Sequence, residues 1–238
     1  MGRAQKTNTV KLVIHWMLYL VIAESSLELV PKELWRHNSV TSYCKRVGKN
    51  PSEVLLDNSW HFAAMRGIEN EIKRGRPDIV HFCLLEACSI PLYEEDEITV
   101  FVHTIHDKVI SVGSGVRLPK SYHRFAGIIE QLFTEKIIKS ADKKLFELKE
   151  MTFSELIDKI KPKQVIGLSS EGQKSSYEGV AKLCEDGTCL VVGGFPKGDF
   201  SEEIKNRMDF MYNIEQRPLE AHIVVARVLY ECEKTIFM

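Results

Sequence analysis

Two glycine-containing loops in the C-terminal third of the chain, at residues 169–172 and 193–198, hold residue types that suit ligand binding. Each loop follows an apolar run that predicts a strand, the first at residues 165–168 and the second at residues 188–192. Glycine lets a ligand approach bare backbone, and in open α/β sheets ligands bind beyond the carboxyl ends of strands. The second loop has neither the G-K-[ST] ending of a P-loop nor the G-x-G-x-x-G of a dinucleotide fold. An adenosine-type cofactor held by backbone amides and carbonyls therefore fits at least as well as a phosphate, and an ordinary turn is the alternative.

A basic segment at residues 114–127 is the second candidate site. It contains no acid, and Arg117, Lys120 and Arg124 are spaced by three and four residues. If Pro119 begins a helix, the three side chains share one face, which suits the phosphates of a nucleic acid. A solvated helix face is the alternative.

Arg76 and Asp78 form the third candidate site, directly after the basic cluster Lys73-Arg74-Gly75. We expect the Asp78 carboxylate to hold the Arg76 guanidinium in one orientation, which would suit contact with a planar partner. The alternative is a local ion pair on the surface, which contributes little.

The histidines and cysteines predict no further reactive site. The chain has no H-E-x-x-H and no G-x-S-x-G motif, and its six cysteines form neither a C-x-x-C pair nor a zinc-finger spacing. We therefore predict no metal site, and thiols that act as small buried hydrophobes. His81, inside an apolar run, is predicted to be a core histidine.

Strand-like runs alternate with amphipathic segments along the chain, which predicts an α/β fold with a mainly parallel sheet. The run at residues 18–23 is continuously apolar and predicts a central strand, and a hairpin is expected around His106-Asp107. Residues 77–85 fit either a helix or a buried strand. Further helices are predicted at residues 27–37, from Asn58 or Ser59 to Ile68, from Pro119 to Phe133, and from Pro218 to about Lys234.

The composition is that of a folded protein without a net charge excess. Among 238 residues, 44% are hydrophobic, and Lys and Arg number 32 against 33 Asp and Glu. This balance excludes a disordered chain and a chain-wide basic coat, although a local basic patch can still bind a polyanion. The apolar run at residues 10–23 contains Lys11 and His15 and is shorter than the ~20 residues that span a bilayer. We expect a buried strand there, in a soluble intracellular protein.

Four strings occur together in an order that is found in a known family. They are Arg76-Pro77-Asp78-Ile79-Val80-His81, Val102-His103-Thr104, Arg117-Leu118-Pro119-Lys120-Ser121-Tyr122-His123-Arg124-Phe125 and Val192-Gly193-Gly194-Phe195-Pro196-Lys197-Gly198. Together they resemble the ribosome-biogenesis pseudouridine methyltransferases of the SPOUT class, the nucleolar-essential-protein family. The first and third strings are specific, and the resemblance extends from about Leu18 to the C-terminus.

The resemblance implies a single SPOUT-type α/β domain over residues 18–238 with a C-terminal trefoil knot, a rare exception to unknotted folds. It also implies an inserted hairpin region at about 90–115, an N-terminal extension over residues 1–17, and a homodimer in the cytoplasm, or in the nucleolus of a eukaryote. The implied reaction is methyl transfer from S-adenosylmethionine to ring nitrogen N1 of a pseudouridine in small-subunit ribosomal RNA. The implied cofactor-binding residues are Leu168, Ser169, Gly172, Gly193, Gly194, Gly198, Met211, Tyr212, Asn213, Arg217, Pro218 and Leu219.

Roles for the charged residues follow from the same resemblance. Arg76, held by Asp78, is expected to grip the flipped base and to stabilise negative charge on its carbonyl oxygens. Arg117, Lys120 and Arg124 are expected to bind flanking phosphates, with Lys120 standing where many members carry Arg. Two other functions stay open: an RNA-binding assembly factor that acts mainly as a scaffold, and a SPOUT methyltransferase for tRNA.

Overall fold

A mixed β-sheet organises residues 16–237, the part of the chain that the computed structural model describes. The strands across this sheet run in the order β4-β5-β3-β2-β1-β7-β6-β8. In the part of the sheet ordered β2-β1-β7-β6-β8, each strand is parallel to its neighbours. Strands β3, β5 and β4 extend the sheet beyond β2 with antiparallel pairing. The predicted α/β class and hairpin are confirmed, and β4 and β5 were not predicted. The strand bounds are β1 Leu18–Ser25, β2 Ile98–Thr104, β3 Lys108–Val112, β4 Ile137–Ser140, β5 Lys143–Glu150, β6 Gln164–Lys174, β7 Thr188–Gly193 and β8 Phe210–Asn213.

Helices cover both faces of the sheet. Buried side chains of α3, α5 and α9 share one core with one face of β1, and those of α6 and α8 share a second core with the other face. Helices α1 and α2 enclose a separate small core. The helices among residues 16–237 are α1 Asn38–Val47, α2 Asn58–Met65, α3 Pro77–Ala87, α4 Pro91–Glu94, α5 Tyr122–Glu135, α6 Phe153–Ile160, α7 Tyr177–Ala181, α8 Glu202–Lys205 and α9 Ala221–Phe237.

Strand β1 lies at the centre of the parallel part, as its sequence predicts. Leu20 and Ile22 face the core that contains α3, α5 and α9, and Val21 and Ala23 face the opposite core. Successive side chains of a strand point to opposite faces, so a strand covered on both faces must be apolar at every position.

The helix predicted at residues 27–37 is wrong. Residues 28–30 are extended instead, and Leu29 forms an isolated antiparallel bridge with Leu55. Pro31 has no N–H to donate inside a helix, and only a short 3-10 turn follows it. Helix α1 begins after His37, whose ring nitrogen accepts a hydrogen bond from the second residue beyond it.

Three further helix boundaries differ from the prediction. Helix α2 is capped by Asp57 and ends at Met65, short of Ile68. Helices α5 and α9 begin three residues after Pro119 and Pro218 respectively. The Pro119 carbonyl is engaged in a 2.8 Å hydrogen bond with the ring of His81, so the segment after it is held to helix α3 before α5 begins.

Several expectations lie outside what the fold itself tests. No helix among residues 16–237 is both long and apolar enough to span a membrane, and residues 1–15 and 238 lie outside the described part of the chain. The trefoil knot, and the division into one domain over residues 18–238 with an extension over 1–17, stay predictions.

Candidate functional site

A cavity of about 450 Å³ lies beside the carboxyl ends of β7 and β8 and the middle of β6. Its volume is within the range of small-molecule sites, and its place beyond parallel strands is where open α/β sheets bind ligands. The loop after β7, the segment after β8 and the start of α9 form its walls. The lining residues are Leu168, Ser169, Ser170, Val192, Gly193, Phe195, Pro196, Lys197, Gly198, Asp199, Phe200, Tyr212, Asn213, Ile214, Glu215, Arg217, Pro218, Leu219, Ala221 and Val224.

Nine of the twelve residues expected to bind a cofactor line this one cavity. They come from three chain segments that meet because β7, β6 and β8 are neighbours in the sheet. The exceptions are Gly172, Gly194 and Met211, whose backbones serve the packing of the strands. The nine are Leu168, Ser169, Gly193, Gly198, Tyr212, Asn213, Arg217, Pro218 and Leu219.

Gly172 allows β6 to approach β8 closely. A Cβ atom at this position would lie 2.5 Å from the carbonyl carbon of Tyr212 and 2.7 Å from that of Met211. Only glycine therefore permits the contact that places Tyr212 in the cavity wall.

Gly194 packs against the central strand rather than against the cavity. Its N–H donates to the carbonyl of Ala23 at 2.8 Å, and its own carbonyl accepts from the N–H of Ser26 at 2.9 Å. An added Cβ would lie 2.9 Å from the Cα of Ser25. A side chain at position 194 would thus disturb β1 before it affected any ligand.

Asp199 is a polar residue of the cavity that the sequence prediction missed. Its Oδ1 accepts hydrogen bonds from the hydroxyls of Ser169 at 3.0 Å and Ser170 at 3.4 Å. The side-chain amide of Asn213 donates to the carbonyl of Ser170 at 2.8 Å. These bonds hold the loop after β7 against β6 and β8. In the sequence, the signal for Asp199 is its position directly after Gly198, the last glycine of the loop.

The loop after β7 is also fixed from outside the cavity, by Lys73. The ammonium of Lys73 lies 4.5 Å from the ring centroid of Phe195 and 2.8 Å from a carboxylate oxygen of Glu24. Glu24 is buried, and each of its two carboxylate oxygens also accepts a hydrogen bond from the N–H of Ser201 at 3.2 Å. The segment that leads to Arg76 is thereby joined to the cavity wall.

The predicted pairing of Arg76 with Asp78 is confirmed. The guanidinium donates two hydrogen bonds to the carboxylate, from Nε to Oδ1 and from Nη2 to Oδ2, each at 2.8 Å. The Arg76 N–H donates to the Ser26 hydroxyl at 2.7 Å, which anchors the residue beside the end of β1. The hydrogen bonds to Asp78 raise the pKa of Arg76. The two side chains are 32% and 30% exposed, so this fixed cation is accessible from solvent.

The basic segment adopts a different shape from the one predicted. Arg117 and Lys120 precede α5, and only Arg124 lies on it, so the three do not share a helix face. All three side chains are exposed, and none forms an ion pair or side-chain hydrogen bond with another residue of the range 16–237. They are therefore available to an external anion.

Tyr122 joins the start of α5 to the start of α2. Its hydroxyl donates to Oδ2 of Asp57 at 2.5 Å, and the other carboxylate oxygen accepts from the N–H of Ser59. Burial, followed by the hydrogen bond to Asp57, raises the pKa of Tyr122 and keeps the phenol protonated. The Asp57 carboxylate is therefore hydrogen-bonded to Tyr122 and not to His61. The ring nitrogen Nδ1 of His61 accepts a hydrogen bond from the backbone N–H of Asp57 instead.

Tyr122→Phe should lower the free energy of unfolding by about 1.5–3 kcal/mol, because a buried carboxylate loses a hydrogen bond. Urea unfolding followed by circular dichroism measures this change. Tyr177→Phe is the matched control, since its hydroxyl makes only a 3.5 Å contact with Arg227. Equal stability of the two variants would contradict this account of the Tyr122 contact.

The six cysteines and His81 behave as structural residues. All six cysteines are buried and free, and burial raises the pKa of Cys88 to about 12. His81 is buried and stacks on Phe125 at 4.5 Å. The predictions of hydrophobic thiols and of a core histidine are therefore confirmed. Among residues 16–237, no cluster of three or more His, Cys, Asp and Glu side chains has a metal-binding arrangement.

Comparison with known proteins gives one consistent family. A family model described as EMG1/NEP1 methyltransferase matches residues 20–233. A relative from Staphylothermus marinus named ribosomal RNA small subunit methyltransferase Nep1 is 40% identical, covering 90% of this chain and 94% of its own length. A protein of the same name from Pyrococcus furiosus is 39% identical, with 91% and 96% covered.

A solved structure agrees with these sequences. The crystal structure of Archaeoglobus fulgidus Nep1 bound to S-adenosylhomocysteine is 32% identical to this chain and superposes with a TM-score of 0.83. The match covers 94% of this chain and 100% of that one.

Proposed function

This chain belongs to the EMG1/NEP1 methyltransferase family, and from that premise we propose that it methylates small-subunit ribosomal RNA with S-adenosylmethionine as the methyl donor. We further propose ring nitrogen N1 of a pseudouridine as the acceptor, which the resemblance of the four sequence strings implies. The observation that carries the proposal is the cavity beside β7, β6 and β8, where three segments expected to bind the cofactor meet.

The cavity suits an adenosine-containing cofactor. Leu168, Val192 and Leu219 supply apolar walls for a base, and Asn213 is a polar residue of the lining. Gly198 has a φ of +93°, a conformation that glycine adopts most readily, and it turns the loop along the cavity. S-adenosylmethionine supplies an electrophilic methyl group when it is bound here.

Arg76 is the residue we assign to the target base. Pseudouridine N1 becomes a good nucleophile when its proton leaves, and negative charge then spreads onto the carbonyl oxygens of the ring. A guanidinium already oriented by Asp78 can donate hydrogen bonds to those oxygens without reorganising. Arg117, Lys120 and Arg124 would hold flanking phosphates, because they are exposed cations without protein partners among residues 16–237.

The test is incubation with labelled S-adenosylmethionine and a small-subunit rRNA hairpin that carries a pseudouridine, beside the same hairpin with uridine. We expect label only on the pseudouridine RNA. Tight binding of the hairpin without label would favour a scaffold, and transfer of label to tRNA instead would favour a tRNA methyltransferase. Either result would overturn the proposed reaction.

Lys73 should strengthen cofactor binding although it lies outside the cavity. Lys73→Met removes the cation beside the Phe195 ring and leaves the buried Glu24 carboxylate without its ion pair. We expect the dissociation constant for S-adenosylhomocysteine, measured by calorimetry, to rise by roughly 3–10-fold. Lys163→Met, which removes an exposed ion pair with Asp186, is the control and should not change it. Equal affinities of both variants would contradict the positioning role.

We also propose a homodimer, supported by an exposed aromatic side chain where α3 meets α9. Phe82 is 44% exposed, and its ring lies 5.4 Å from that of His222. Phe82→Glu should yield a monomer in analytical ultracentrifugation, because a charge would be buried in the interface. Phe237→Glu, at another exposed phenylalanine, should leave the mass unchanged. A monomeric parent protein would contradict the proposal.

Location in the cytoplasm and absence of a metal stay predictions.

A further inference from the structure

Helices α1 and α2 and the residue after α2 carry aromatic and cationic side chains at the surface, which we call the α1–α2 patch: the half-buried Tyr43 and the exposed Arg46, Trp60, Phe62 and Arg66. The rings of Tyr43 and Trp60 stack with centroids 5.5 Å apart, and the Arg46 guanidinium lies 4.0 Å from the Trp60 ring. The Arg66 guanidinium lies 5.7 Å from the Phe62 ring. Trp60 is 40% exposed and Phe62 is 59% exposed.

The small core beneath these helices accounts for Tyr43, which packs against it, but not for Trp60 and Phe62. Val40, Cys44, Ala64 and Met65 fill that core and are all buried. Trp60 and Phe62, two residues apart and therefore on opposite sides of α2, are exposed instead, which leaves apolar surface that folding alone would place inside. Large exposed rings beside guanidinium groups are typical of binding surfaces.

The charge at the end of α1 favours a polyanion as the partner of the patch. Residues 38–49 contain Lys45, Arg46 and Lys49 and no acid, and Lys49 is paired with Glu130. Arg66, after α2, is followed by Glu69 and Glu71, so the cationic side of the patch is that of α1. An exposed ring beside cations matches the two parts of a single-stranded nucleic acid, its bases and its phosphates.

The elements that carry the patch are hydrogen-bonded to helix α5, directly after the basic residues Arg117 and Lys120. The hydroxyl of Tyr122 binds Asp57, which caps the helix that carries Trp60 and Phe62. On the same side, Glu130 of α5 accepts hydrogen bonds from the Lys49 ammonium at 2.5 Å and from a backbone N–H of the segment before α2 at 3.0 Å. These contacts hold the two basic surfaces beside one another.

We propose that the α1–α2 patch binds a single-stranded stretch of the RNA substrate next to the segment that carries the target base. Bases stack on Trp60 and Phe62, and the guanidinium edges of Arg46 and Arg66 contact phosphates. This proposal rests on the proposed function and adds a second contact region to it. Because every base has a π face, the patch tolerates different sequences and selects unpaired RNA over duplex.

The test compares the pseudouridine hairpin with and without a single-stranded extension of about eight nucleotides, by fluorescence anisotropy with the full chain. The double variant Trp60→Ala, Phe62→Ala should bind the extended RNA at least about tenfold more weakly. Its affinity for the hairpin without the extension should equal that of the parent. Tyr230→Ala is the matched control, because this exposed ring also lies near a cation, Lys234 at 5.6 Å.

The salt dependence separates stacking from phosphate contacts. Arg66→Gln should reduce the slope of log K against log salt by about 0.7, the value for one phosphate contact to a single strand. Trp60→Ala should lower the affinity without changing that slope. Trp60→Phe keeps an aromatic ring and should retain most of the affinity, with folding of each variant checked by circular dichroism.

The outcomes distinguish this proposal from the function on which it rests. If the parent methylates the hairpin but the double variant binds both RNAs like the parent, the patch proposal is overturned and the function stands. A parent that neither binds nor methylates the RNA would overturn both. Loss of self-association in the double variant, with unchanged RNA affinity, would assign the patch to a contact between copies and overturn the proposal.

Discussion

Arg76→Ala should lower the rate of methyl transfer by about 10²–10³-fold, the loss that follows removal of one preorganised donor to a developing oxyanion. The affinity for S-adenosylmethionine should stay unchanged, because Arg76 is not among the residues that line the cavity. Single-turnover transfer of label to the pseudouridine hairpin measures the rate, and calorimetry with S-adenosylhomocysteine measures the affinity.

Two companion variants test why Arg76 acts. Arg76→Lys keeps the charge but loses the two-pronged geometry, so its rate should fall between those of the parent and Arg76→Ala. Asp78→Asn weakens the pair that orients the guanidinium, and we expect a smaller loss. If Asp78 acts only through Arg76, the double variant should be no slower than Arg76→Ala alone. Turnover of Arg76→Ala within a few-fold of the parent would show that the assigned role is wrong.

Gly172→Ala should weaken binding of S-adenosylmethionine on the order of 10²-fold, the effect of misplacing positioning groups by about 1 Å. The added methyl would lie 2.5 Å from the Tyr212 carbonyl carbon, so β6 and β8 must separate. The free energy of unfolding should also fall by about 1–3 kcal/mol, as expected for overpacking. Calorimetry and urea unfolding measure the two effects.

Gly127→Ala is the matched control for this substitution. A Cβ at Gly127, in helix α5, would have no heavy atom within 4 Å. Replacing glycine by alanine inside a helix stabilises it by roughly 0.5–1 kcal/mol, so this variant should be more stable and bind the cofactor normally. If Gly172→Ala matched it in both respects, the close contact between β6 and β8 would not support the cavity.

Local patterns predicted the elements that residue types and short spacings define. The continuously apolar run at residues 18–23 became the central strand, and the turn at His106-Asp107 became a hairpin. Arg76 and Asp78 pair because only Pro77 separates them. Pro77 begins helix α3, and Asp78 lies in its first turn. The capping box formed by Thr152 and Glu155, which begins α6, is likewise a local pattern, T-x-x-E.

Distant contacts decided the elements that were wrong. Residues 28–30 are extended because they pair with the segment around Leu55. No pattern within residues 27–37 indicates this distant partner. Lys120 precedes helix α5 because the Pro119 carbonyl is hydrogen-bonded to His81 on a different helix, and Arg117 lies before Pro119. Helical spacing alone therefore placed three cations on one face that the folded chain does not form.

The sequence by itself determined the fold class, the family and nine of the residues that line the cavity, since these depend on residue types and on spacing along a strand or loop. Only the tertiary structure decided which glycines line the cavity. Gly193 and Gly198 face it, Gly194 packs on β1 and Gly172 on β8. The four are alike in sequence, and they differ in what a Cβ atom would touch, which depends on strands that are remote in the chain.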